Sequence, residues 1–391
     1  MDVKTGIEVL RDEGYRRLKG RRVGLMTNQS AVDRQLRGTL QLMWADRAVD
    51  LVALFAPEHG LSAAAPDAAG VVTGKDRLTG LPVHSLYGET YRPTADMLDG
   101  LDAIVCDVQD VGVRYYTYPS TISYIMEAAG EHGVSVVILD RPNPLGGEEV
   151  WGPTLEPHLS SFVGRFPVPV QHGLTLGELS LMINATWNPH PAEVSVVPCE
   201  GWRRSMRWDD TGLAWAPASP ALAHLSAVCQ YPGSCLIEGT TLSEGRGTPL
   251  PFEVVGAPWL DGTLLAERLN EQGWPGVRFR AHSFLPTASK WNGQYCHGVQ
   301  AHATDRQALR PLETWLGVIG TIRSLYPEPF AWLPPFQEGV EPSSQHFDRL
   351  IGSERTRKQI DAGASLDEIT EGWDEFCRSF RQQGQPFLLY P

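Results

Sequence analysis

This chain has little of what nucleic-acid-binding, membrane-spanning or metal-binding proteins need. Across 391 residues, Lys and Arg total 33 against 46 Asp and Glu, a formal charge of −13, and no run of more than two consecutive basic residues occurs. Nucleic acid and anionic membrane surfaces both demand a basic footprint, so neither is expected as a partner. No segment approaches the roughly 18–20 apolar residues of a membrane-spanning helix, and no membrane insertion is expected. The six cysteines (106, 199, 229, 235, 296 and 377) show no CxxC or related spacing. HxH and HExxH are also missing, so His59, His84 and His172 are not expected to hold a metal. Neither GxGxxG nor GxxxxGK[ST] stands at a strand–helix junction, and no nucleotide or other cofactor is expected.

The N-terminal MDVKTGIEVLRDEGYRRLKGRR alternates charged and apolar residues without a continuous apolar stretch. With reduced, mostly structural thiols, this points to a cytoplasmic protein. An exported protein stripped of its leader would read the same way. The composition, 42% hydrophobic and 20% charged, is that of an ordinary globular chain long enough for two or three domains.

Residues 1–188 alternate between strand and helix patterns. Helix is expected over Gly6–Leu18 and from Asp33 to about Trp44, the latter capped by Ser30 with Asp33. Further helices are expected around Ile122–His132 and over Thr175–Ala185, where T-L-G-E forms a capping box. Strands are expected at Arg22–Thr27, Leu51–Ala56, Ala103–Asp107 and Val134–Leu139. Their cores, VGLM, LVALF, AIVC and VVIL, are near-continuous apolar runs, which suit a parallel sheet buried on both faces. The fold class expected is α/β: a Rossmann-like parallel-sheet domain over 1–188, then a smaller α+β domain over 189–391, with NPHPAE as the linker. In the second part VSVVP, SCLIEGT, VRFRAHSF and GVQAHAT read as short strands. Leu309–Leu325, Ser353–Asp361 and Ser365–Gln382 read as helices.

Several strands end on chemistry-bearing residues. RRVGLMTN ends at Asn28, and LVALFAPEHGL presents Glu58 and His59 just past its strand. DVQDVGVRYYTY carries Asp107, Asp110, Arg114 and Tyr116; DRPNPLGG carries Asp140, Arg141 and Asn143. In an open α/β sheet, ligands bind outside the carboxyl ends of the strands, so this edge reads as an active site. A carboxyl such as Glu58 can serve as general acid or base; it can equally cap an element or pair with an arginine. Tyrosines and arginines beside carboxylates suit a sugar or a carboxylated ligand, although an internal Asp–Arg bridge among core tyrosines explains any one of them. SEGRGT sets Glu244 and Arg246 between glycines, which let backbone approach a ligand closely.

VGLMTNQSAVD, LFAPEHGL, TGLPVHSLYG, DVQDVGVRYYTY, LDRPNPLGG, FPVPVQHGLTLGEL, YPGSCLIEGTTLSEGRGTPLPFEVVGAPW and GVQAHATD follow one another in order. Together they resemble the exo-β-N-acetylmuramidase family of bacterial glycoside hydrolases, once a domain of unknown function, from about Gly6 to the terminal FLLYP. The resemblance implies a Rossmann-like domain with an auxiliary C-terminal domain and an active site in the cleft between them. It also implies release of N-acetylmuramic acid from the non-reducing ends of peptidoglycan-derived disaccharides or glycan chains. The family's PEHG glutamate falls on Glu58, the expected general acid, and its SEGRGT pair on Glu244 and Arg246. Glu244, with Asp110 behind it, is then the expected second carboxylate. Arg246 or Arg114 would read the lactyl carboxylate, and Asn28, Asp140 and Asn143 would hold sugar hydroxyls. His59, Tyr116, Arg141 and His172 complete the expected substrate-binding set.

Two loops depart from the family pattern. PEHGLSAAAPDAAG replaces the usual PEHGLRG continuation over 62–69, and PASPALAHL stands around 217–225 where PSPNMP is common. They keep two alternatives open: a non-catalytic muropeptide- or sugar-binding protein, and a hydrolase of a related anionic amino sugar. A nucleotide-sugar oxidoreductase lacks the glycine fingerprint it would need.

Overall fold

A computed structural model describes residues 2–66, 69–70, 73–334 and 345–391. The chain forms two compact units, the first from 1–150, 172–223 and 381–391, the second from 151–171 and 224–380.

The first unit is built on seven strands: β1 (Arg22–Thr27), β2 (Asp50–Ala56), β3 (Gly74–Lys75), β4 (Pro82–Ser85), β5 (Ala103–Asp107), β6 (Ser135–Leu139) and β7 (Val194–Val197). Their order is β3-β4-β2-β1-β5-β6-β7, parallel throughout except that β3 runs against β4. The expected Rossmann-like α/β architecture is present. Every residue of β5 and β6 is buried, as their unbroken apolar runs require of strands covered on both faces. Helices α1 (Gly6–Asp12), α2 (Thr39–Ala45), α3 (Ala95–Leu98), α4 (Tyr118–His132) and α5 (Leu176–Thr186) accompany the sheet. Ile7, Leu10, Leu18, Leu25, Leu54, Val105 and Leu139 share its core. From β1 the chain steps to β2 on one side and later to β5 on the other, so a topological switch point lies between β1 and β5. Such points open a crevice at the carboxyl edge.

The second unit carries a three-stranded antiparallel sheet, β8 (Val254–Ala257), β9 (Val277–Phe284) and β10 (Cys296–Ala303), in the order β8-β10-β9. Its helices are α6 (Leu225–Ser234), α7 (Gly262–Glu271), α8 (Pro311–Leu325), α9 (His346–Ile351), α10 (Glu354–Asp361), α11 (Leu366–Thr370) and the first part of α12 (Trp373–Gly384), whose residues from Arg381 on belong to the first unit. No helix among the described residues is long and apolar enough to cross a membrane.

Several expectations are corrected. The first helix stops at Asp12, because Tyr15 adopts φ 53° and a 3-10 turn follows over Arg16–Leu18. The second begins at Thr39, since Asp33 instead closes the preceding loop by accepting from the backbone N–H of Gln35 and Arg37, both at 2.9 Å. SCLIEGT is a 3-10 turn, Cys235–Gly239, continuing from α6. Ser365–Gln382 is two helices interrupted at Gly372. The expected division at 188 falls before β7, which pairs with β6 in the first sheet; the polar NPHPAE is a loop between α5 and β7. The capping box at Thr175 and Glu178 is present, and Ser353 and Ser365 cap α10 and α11.

Candidate active site

Four strand ends deliver residues to the carboxyl edge of the first unit's sheet. After β2 the chain turns sharply: the Gly60 N–H donates to the Pro57 carbonyl at 2.9 Å, and His59 sits at φ 68°, a region that non-glycine residues seldom enter. The turn presents Glu58, which is only 8% exposed. Its Oε2 accepts a hydrogen bond from Thr117 Oγ1 at 2.6 Å. The His59 ring donates from Nδ1 to the Ala65 carbonyl at 2.8 Å, because a carbonyl can only accept. Ala64 and Ala65 in turn donate to the His59 carbonyl, so the departing loop wraps around this residue. Residues 67 and 68 of the expected 62–69 loop lie outside the described residues.

The segment after β5 runs beneath this turn and links it to the end of β1. Asn28 Nδ2 donates to Tyr118 Oη at 2.6 Å, and Asn28 Oδ1 accepts from both Ser30 N and Oγ. Tyr118 donates onward to the Ala218 carbonyl at 2.6 Å, and its ring meets that of Tyr116 edge-on with centroids 4.8 Å apart. Burial pushes both phenols above their usual range. The PASPALAHL loop therefore touches the tyrosines of this edge. Arg114 is buried, and burial pushes its guanidinium down to about 10, as befits a cation held out of water.

Asp110 is 5% exposed. Its Oδ2 accepts from the Gly112 N–H at 2.7 Å and lies 3.6 Å from His172 Nε2, while the Leu174 N–H donates to His172 Nδ1 at 3.1 Å.

The residues after β6 serve the scaffold. Arg141 grips Asp107 through Nε and Nη2 at 2.5 and 3.1 Å and donates from Nη1 to the Val32 carbonyl. Asp140 accepts from Thr175 Oγ1, Tyr390 Oη, Gly177 N and Arg141 N, which fills its carboxylate with internal partners. Asn143 bridges the Leu174 carbonyl and the Leu145 N–H. Asp140, Arg141 and Asn143, expected to bind substrate, thus all engage internal partners at this edge.

In the second unit, Glu244 is 1% exposed and faces two cations, Arg246 Nε at 3.2 Å and Lys290 Nζ at 2.9 Å. Arg246 also binds Glu238 and lies over the Phe252 ring, 4.9 Å from its centroid. Burial alone would raise the Glu238 carboxyl, but Arg246 and His346 outweigh it and hold it low. SEGRGT is thus one corner of a buried ion network. No group of side chains able to hold a metal occurs among the described residues.

The sequence reading passed over Thr117 and Tyr91. Thr117 precedes α4 like an ordinary cap, and only the tertiary structure shows its hydroxyl on Glu58. Tyr91 follows β4, which lies beside β2; burial first, then the Glu58 charge, raises its phenol. The tyrosine-bearing TGLPVHSLYG motif was the only signal near it.

Family models for the N- and C-terminal domains of the exo-β-N-acetylmuramidase NamZ match residues 23–226 and 229–390. The chain belongs to the NamZ exo-β-N-acetylmuramidase family. A peptidoglycan β-N-acetylmuramidase NamZ of Bacillus subtilis (strain 168) is 42% identical over 388 residues, 99% of this chain and 91% of the relative. Two crystal structures of DUF1343 family proteins from Bacteroides fragilis cover the whole chain and 99% of their own lengths. They superpose with TM-scores of 0.89 and 0.77 at 36% and 30% identity. Glu58, Asp110, Arg114 and Tyr116 all lie on the sheet edge described above, in the first unit.

Proposed function

We propose that this protein is an exo-acting glycoside hydrolase that releases N-acetylmuramic acid from the non-reducing ends of peptidoglycan fragments, at the β-1,4 bond to N-acetylglucosamine. The observation that carries this reading is Glu58: a buried carboxyl on a strained turn at the carboxyl end of β2, oriented by the Thr117 hydroxyl. Membership of a family whose Bacillus subtilis relative is a peptidoglycan β-N-acetylmuramidase gives that carboxyl its substrate class. Glycoside hydrolysis needs an acid to protonate the leaving oxygen, and Glu58 takes that role. Arg114, buried on the same sheet edge as Glu58, reads the lactyl carboxylate. Tyr116 supplies an aromatic face beside the sugar.

Purified protein is assayed with a chromogenic β-N-acetylmuraminide and the matching β-N-acetylglucosaminide, with Glu58→Gln as control. Release from the muraminide alone, lost in the variant, is expected. Binding of muramic acid disaccharide with no release from either compound would leave a binding protein. We also propose a cytoplasmic location, supported by six free thiols and tested by cell fractionation.

A further inference from the structure

Two buried groups beside each other, one a donor and one an acceptor, lack a hydrogen-bond partner among the described residues: His172 Nε2 and Asp110 Oδ1. His172 is wholly buried and Asp110 nearly so. A buried polar group left unmatched costs about 1–3 kcal/mol, so two at one place call for an explanation.

The surrounding bonds fix what each group offers. The Leu174 N–H donates to His172 Nδ1, so that nitrogen carries a lone pair and the neutral ring bears its hydrogen on Nε2. Nε2 points toward Asp110, 3.6 Å from Oδ2, beyond hydrogen-bonding distance. Contacts of this kind at catalytic sites are often long until substrate closes around them. Asp110 Oδ2 is meanwhile held by the Gly112 N–H at 2.7 Å. Gly112 can do this at φ 77°, and the carbonyl of the same residue accepts from the His172 N–H at 3.3 Å, which ties the two loops together. One carboxylate oxygen is anchored and the other carries open lone pairs beside an imidazole N–H.

We propose that Asp110 and His172 form a socket for the attacking water, with Asp110 as the general base and His172 as its positioning residue. This rests on the glycosidase reading above. The water accepts from Nε2–H and donates to Oδ1. Its oxygen forms the bond to the anomeric carbon as its proton passes to Asp110 Oδ1. The bond from that carbon to the leaving oxygen breaks, and the leaving oxygen takes the proton of Glu58. Glu244 has the Arg246 guanidinium 3.2 Å from one oxygen and the Lys290 ammonium 2.9 Å from the other, a cation at each, and is not this base.

The test compares wild type with Asp110→Asn, Asp110→Ala, His172→Gln and His172→Phe on an activated aryl β-N-acetylmuraminide. Wild-type turnover establishes the glycosidase reading separately; its absence sinks that reading and the base assignment that rests on it. Given turnover, Asp110→Ala loses about 10²–10⁴-fold in kcat, the span usual for a general base. Added azide restores it, giving the α-glycosyl azide, because the small anion attacks without needing a base. A β-glycosyl azide, or no rescue in a variant that still binds muramic acid disaccharide, overturns the assignment. Asp110→Asn keeps an acceptor for the Gly112 N–H, and a melting temperature near wild type with the same loss separates chemistry from folding. His172→Gln places an amide N–H near the position of Nε2 and retains kcat within about tenfold, while His172→Phe loses about 10²-fold with KM little changed. Equal losses in the two His172 variants would mean that the ring only fills space.

Discussion

The Thr117 hydroxyl donates to Glu58 Oε2 over 2.6 Å from the position just before α4, where threonine ordinarily caps its own helix. No side-chain cap is formed there, so the helix gives up a bond worth about 1 kcal/mol and the carboxyl of Glu58 is oriented instead.

Thr117→Val keeps shape and loses the hydroxyl. A typical hydrogen bond contributes about 0.5–1.5 kcal/mol, so kcat falls roughly 2–10-fold with little change in melting temperature. Thr117→Ser keeps the hydroxyl and stays near wild type. Steady-state kinetics on the chromogenic muraminide distinguish these outcomes; equal activity of the Val and Ser variants would remove Thr117 from the argument.

Arg246 sits in the buried network with Glu238 and Glu244. Arg246→Ala leaves two carboxylates buried with one fewer cation, and breaking a buried pair this way costs about 3–5 kcal/mol. Urea denaturation followed by fluorescence is expected to show a loss of that order. A variant of unchanged stability with raised KM would return Arg246 to the substrate-binding role.

Asp140 supplies a pH dependence. Burial raises its carboxyl from 3.8 to about 6, against the pull of the Thr175 and Tyr390 hydroxyls and the Gly177 N–H. The folded chain therefore holds this proton at pH values where the unfolded chain has released it. The resulting stability is fully present below about pH 4 and is lost as pH rises through about 6. Asp140→Asn does not titrate, so the difference in unfolding free energy between wild type and variant should fall by roughly 1–3 kcal/mol across that window. A constant difference from pH 4 to pH 7 would contradict it.

The thiols provide a check on packing. Five of the six cysteines are buried, and burial pushes the Cys106, Cys199, Cys235 and Cys296 thiols up, away from the reactive thiolate. Alkylation of the native protein read by mass spectrometry is expected to modify Cys229 first, and all six only after denaturation. Rapid labelling of Cys106 in the native state would mean that β5 is not the closed core strand described here.

Sequence by itself determined the strands of the first sheet and the residues at their ends. VGLM, LVALF, AIVC and VVIL became buried parallel strands because period and composition are local properties that burial on both faces does not disturb. The capping box at Thr175 was equally legible, since both its members lie within one turn. Tertiary structure alone decided which partners the charged and polar side chains at those ends take. Asp140, Arg141 and Asn143 stand at the same kind of strand end as Glu58 and Asp110. Tyr390, Asp107 and Leu174, distant in sequence, occupy hydrogen-bonding groups of the first three, and Thr117 does so for Glu58. Likewise, nothing local sends the Thr117 hydroxyl to Glu58, or brings His172 Nε2 beside Asp110. A polar side chain's role is set by which partners reach it once the chain is packed, and those partners are chosen by the fold as a whole.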